Sequence, residues 1–60
     1  MRTFDYNLSN GTFKEIHFSL DNINDIKKAE KVKSRLENKG YTLFKEASYF
    51  GKAKLIYKSN

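Results

Sequence analysis

The stretch Asp21–Gly40 is the one long run in this chain with a helical period, and it leaves arms of similar length on either side, Met1–Leu20 and Tyr41–Asn60. Ile26, Ala29, Val32, Lys33 and Leu36 recur at helical spacing and share one side of a helical wheel, with Ile23 at its edge. Asp21 or Asn22 can cap the start, because a short side-chain oxygen accepts from the first free backbone N–H groups. Asp21 and Asp25 put negative charge at the positive end of the helix dipole. Gly40 tolerates the left-handed conformation that ends helices. With Gly40 just past the cap, Tyr41 and Leu36 become the contact pair of a Schellman ending.

Each arm reads as a hairpin. Residues 2–8 alternate, with Phe4, Tyr6 and Leu8 on one face, and Ser9-Asn10-Gly11 is a turn signal. The second strand runs from Thr12 to Leu20. A three-residue loop pairs Phe4 with Ile16 and gathers Phe4, Tyr6, Leu8, Ile16 and Phe18 on a single face, so the hydrophobic pattern favours that register. In the other arm, Tyr41–Ser48 and Lys52–Lys58 are strands joined at Tyr49-Phe50-Gly51. Ser48 opposite Lys52 then sets Ala47 against Ala53, Glu46 against Lys54 and Leu43 against Tyr57. The helix is expected to cover Tyr41, Leu43, Ala47, Leu55 and Tyr57, and Leu36, Phe4, Phe18, Leu43 and Leu55 are expected to be buried.

The fold expected is therefore α+β: one small domain over residues 1–60, a two-layer ββαββ sandwich with a mainly antiparallel four-stranded sheet and the helix on one face. Strand order stays open, including a parallel crossover with right-handed connection. Sixty residues bury only about 60% of the surface the unfolded chain exposes, and there is no Cys to staple them. The start lacks the apolar run of a signal peptide, and no stretch approaches the roughly 20 apolar residues of a membrane span. A soluble cytoplasmic protein with no membrane partner is expected. Half the residues are Phe, Tyr, Met, Ile, Asn or Lys, whose codons are A/T-rich, which predicts a low-GC bacterial or mobile-element source.

The chemistry present argues against an enzyme. One His and no Cys cannot make a four-ligand structural zinc site, so neither metal nor cofactor is expected. His17 beside Glu15 has no evident nucleophile or substrate partner. The seven carboxylates are scattered, all three glycines are explained by turns and a cap, and no small-molecule substrate is implied.

Charge suggests a binding role instead. Residues 1–30 carry four basic and five acidic side chains, whereas residues 31–60 carry eight and two. Lys27, Lys28, Lys31, Arg35 and Lys39 share the outer helix sector as near neighbours, and Glu30 and Glu37 lie toward Lys33 as its expected partners. A solvated helix face accounts for such a stripe in most small proteins. The functional reading is a nucleic-acid backbone contact, to which Lys54 and Lys58, with Lys52, add a second cluster. Phe13 and Phe44, exposed on the outer sheet face, can then stack on unpaired bases. The alternative is a protein-interaction or homodimerisation module in which Phe13, Phe44 and Ile56 form an apolar strip on that face.

Overall fold

The computed structural model describes Met1–Ser59 and has the expected α+β architecture: four antiparallel strands in one open sheet with a single helix on one side. In chain order the elements are β1 (Arg2–Leu8), β2 (Gly11–Ser19), α1 (Ile23–Asn38), β3 (Thr42–Tyr49) and β4 (Lys52–Ser59). The sheet order is β1-β2-β4-β3, so β2 and β4 are central, β1 and β3 are edges, and every neighbouring pair is antiparallel.

The helix begins and ends for local reasons. Asn22 is its cap, with Oδ1 accepting from the backbone N–H of Asn24 at 2.9 Å and of Asp25 at 3.3 Å. At the other end Tyr41 N–H donates to Leu36 O at 3.0 Å and Gly40 N–H to Glu37 O at 3.1 Å, with Gly40 at φ 91°. That pair of bonds is the Schellman ending, and Tyr41 packs against the core cluster that includes Leu36. The core is small: Ile16, Ala29, Leu36, Leu55 and Tyr57, with Phe18, Val32 and Tyr41 against it.

Several expectations fail here, and one cause accounts for much of the failure. The first hairpin closes on Ser9-Asn10, with Leu8 opposite Gly11, Tyr6 opposite Phe13 and Phe4 opposite Glu15. Phe4, Tyr6 and Leu8 therefore face away from the helix, and Phe4 remains 44% exposed where burial was expected. An α-helix is about 10–12 Å across and strands are spaced about 4.8 Å apart, so one helix covers about two strands. Those two are β2 and β4. Beyond its reach β1 turns Thr3 and Asp5 to the helix side, where Asp5 pairs with Lys14 at 3.1 Å, and packs its apolar residues on the open side.

The same limit applies to β3, exposed along its whole length, so Leu43 sits on the helix side opposite Tyr57 yet stays 46% exposed. In the second hairpin the register shifts between Leu43 and Lys45, leaving Phe44 as a bulge. Beyond it Lys45 faces Ile56, Glu46 faces Leu55 and Ala47 faces Lys54, so Ala47 lies on the open side, away from the helix. Glu37 accepts from the Tyr57 hydroxyl at 3.4 Å, and among the described residues neither Glu37 nor Glu30 pairs with Lys33.

Candidate nucleic-acid interface

Lys27, Lys28, Lys31 and Arg35 of α1 and its C-cap Lys39 are all exposed, with Lys27, Lys31 and Arg35 sharing one surface and Arg35 and Lys39 bordering the groove toward Thr3 and Asp5 of β1. Among the described residues Lys14 alone of the lysines and arginines lies within ion-pair distance of a carboxylate, so the stripe's charges are not internally neutralised. Lys54 and Lys58 do not join that stripe. Lys54 sits opposite His17 and Lys58 opposite Phe13, on the sheet face that the helix leaves open. The seven basic residues singled out in the sequence thus divide into two groups on opposite sides of the molecule.

The open face holds a denser constellation than the sequence suggested. Strand alternation brings Phe4, Tyr6 and Leu8 of β1, Phe13, Glu15 and His17 of β2, and Lys54, Ile56 and Lys58 of β4 to one surface. Phe13 was expected to be exposed; it is only 2% exposed and forms the centre of this surface. Tyr6 stacks on it with ring centroids 5.4 Å apart and an interplanar angle of 10°, and Phe44 meets it edge-on at 5.5 Å. The bulge matters here, because the extra residue in β3 is the one whose ring reaches Phe13. Phe44 itself remains 48% exposed, and Ile56 is partly covered.

Cations lie against these rings. Lys58 Nζ is 5.6 Å from the Phe44 centroid and 6.0 Å from that of Phe13, and Lys45 Nζ is 5.7 Å from Phe44. Arg2, opposite His17, and Lys52, opposite Ser19, fall on the same side. Glu15 is the one carboxylate among these positions. It is engaged, accepting from the Tyr6 hydroxyl at 2.6 Å and from His17 Nε2 at 3.0 Å. The Tyr6 hydrogen bond, followed by that of His17, holds the Glu15 carboxyl below its ordinary value, and the same bond raises the Tyr6 hydroxyl. Phe4 meets the His17 ring edge-on at 4.9 Å. His17 is thereby built into a packed polar group.

The residues missed from sequence are those of β1 and of the second turn: Phe4, Tyr6, Tyr49 and Phe50. For Phe4 and Tyr6 the signal is the alternation of β1, which matching to Ile16 and Phe18 places on the helix side, whereas Tyr49 and Phe50 read only as turn residues. Tyr49 faces Lys52 at the far end of the hairpin, and its ring lies at 90° to Phe50 with centroids 6.3 Å apart. Among the described residues no cluster of His, Asp and Glu is arranged to hold a metal ion, and no helix is long and apolar enough to cross a membrane. The chain matches no protein-family model, no curated protein and no solved structure.

Proposed function

We propose that this protein is a non-catalytic module that binds single-stranded nucleic acid across the open face of its sheet. The observation that carries the reading is the setting of Phe44, a half-exposed ring flanked by the ammonium groups of Lys45 and Lys58 within 5.7 Å of its centroid. A ring offers every base a stacking surface, and a neighbouring lysine offers the adjoining phosphate a charge. Phe4 repeats the arrangement at the other edge, beside Arg2 and His17. Duplex DNA has its bases already stacked, so a face of this kind favours an unpaired strand. The stripe on α1, being charge without rings, adds attraction that does not depend on base exposure. A cytoplasmic setting goes with this reading, since a chain without cysteine needs no oxidising compartment.

Fluorescence anisotropy of a labelled mixed-sequence oligonucleotide, single-stranded or annealed, tests this across a salt series. Single-strand affinity is expected to exceed duplex affinity. Its log–log salt slope should be near −2 if Lys45, Lys54 and Lys58 neutralise three phosphates, at about −0.7 each. Phe44→Ser should weaken single-strand binding about 5-fold or more. Lys28, Lys31 and Arg35 changed together to Ala should lower affinity for both forms alike. Unchanged binding of both forms in Phe44→Ser would move the reading to the helix stripe, and a dimer in sedimentation that Phe44→Ser dissociates would move it to self-association.

A further inference from the structure

Phe50 is the most exposed large hydrophobic side chain among the described residues, at 97%, and it is the one non-glycine residue with positive φ among them. Its φ is 49° and that of Gly51 is 72°, so the two-residue loop between Tyr49 and Lys52 has positive φ at both positions, as a type I′ turn requires. Asn, Asp or Gly serve the first of those positions well; a phenyl ring there is strained by its Cβ and gains no burial in return. Nor is the tip loose, because Gly51 O accepts from Leu20 N–H at 2.7 Å, which ties the turn to the end of β2. A held, strained turn that presents a bare ring to solvent is not accounted for by folding.

We propose that Phe50 is a wedge that enters between adjacent bases of a strand lying on the open face. This rests on the reading given above and adds to it the end of the track and the contact made there. The neighbours favour a base as occupant. Tyr49 stands beside Phe50 on the open side, and Lys52, Lys54 and Lys58 run back from the tip along β4 on that same side. A strand whose phosphates follow those lysines arrives at the tip with its bases toward Tyr49 and Phe50. An apolar side chain that parts two bases is a recurrent device of proteins that deform nucleic acid, and stacking on a ring is tolerant of sequence.

The test uses the full chain with Phe50→Asn and Phe50→Trp, and a single-stranded oligonucleotide carrying 2-aminopurine, whose emission reports stacking. Phe50→Asn relieves the turn, so its melting temperature should rise by about 4 °C, while its affinity falls about 10-fold and the emission change on binding shrinks to what stacking on Phe44 and Phe4 leaves. Phe50→Trp should keep both affinity and emission change. Stability and binding moving in opposite directions separates a wedge from a merely structural residue. If wild type binds and Phe50→Asn binds equally well with the same emission change, the wedge is wrong and the open-face reading stands. If wild type does not bind the oligonucleotide at low salt, both are overturned. Loss in Phe50→Asn of binding to vesicles of anionic lipid, or of a wild-type dimer, with oligonucleotide affinity unchanged, also overturns the wedge and assigns the tip to a membrane or a second copy.

Discussion

The two sides of the sheet use similar numbers of apolar side chains for different ends. On the helix side Ile16, Leu55 and Tyr57 meet Ala29 and Leu36 and are almost wholly removed from water. On the open side only Phe13 reaches that degree of burial, and Phe4, Leu8 and Phe44, which stand around it, are each about half exposed. Burial accounts for the first side. It accounts for the second only as far as Phe13, since rings left half in water return little of the roughly 25 cal/mol per Å2 that covering them would contribute. Cations are also placed differently. Those of α1 point outward from a covered layer, whereas Lys45 and Lys58 lie directly on the exposed rings. One side supports the fold, and the other carries apolar and charged groups in excess of what folding uses.

The largest effects should come from the centres of the two sides. Leu36→Ala removes a buried side chain from the helix side and is expected to cost about 2–5 kcal/mol, enough to unfold much of a 60-residue domain. Phe13→Ala is expected to cost about 3–5 kcal/mol, because Tyr6 and Phe44 lose the ring that they pack on. Phe44→Ser, at the rim, should cost about 1 kcal/mol. Urea unfolding of the three variants checks the contrast. A Phe13→Ala protein as stable as wild type would mean that the open side has no core of its own.

A smaller effect belongs to the end of the helix. Nothing lies within 4 Å of where a Cβ on Gly40 would sit, so Gly40→Ala meets no obstacle except its φ of 91°. The expected loss is about 1 kcal/mol. A melting temperature unchanged in that variant would show that the Schellman bonds from Tyr41 and Gly40 hold the turn whatever residue occupies it.

What could be read from the chain divides along the same line. The helix, its caps and all four strands were legible, since each depends on residues close together in sequence: Asn22 before the periodic run, Gly40 after it, and turn residues at Ser9-Asn10-Gly11 and Gly51. The facing of β1 was not legible. Its alternation is the same whichever side it faces, and the choice was made by the width of the helix, which only the assembled layer defines. The bulge at Phe44 was hidden for a related reason: two strands of similar length pair plausibly in either register, and the observed one satisfies Phe44 against Phe13, a contact across two strands. The candidate site depends on both, so its aromatic half emerged only with the sheet order.

The smallest effect distinguishes the sides by proton. On the open side Glu15 is held below the ordinary carboxylate value of 4.5, first by the Tyr6 hydroxyl and then by His17, with a lesser contribution from Lys54. Facing the helix side, Asp25 is also lowered, chiefly by the Ser19 N–H at 3.2 Å and then by the N-terminal ammonium at 3.5 Å. In each the folded chain binds its proton less readily than the unfolded chain does. The stability they contribute is therefore complete above the unfolded carboxylate value and is lost as pH falls through the folded one. Melting temperature should decline on acidification below about pH 5. Tyr6→Phe removes the strongest donor to Glu15 and leaves Asp25 untouched, so the decline should become shallower without vanishing. The stacking of ring 6 on Phe13 survives that substitution, which makes it a test of the hydroxyl alone. Superimposable acid profiles for wild type and Tyr6→Phe would show that the Tyr6–Glu15 bond contributes nothing to the fold.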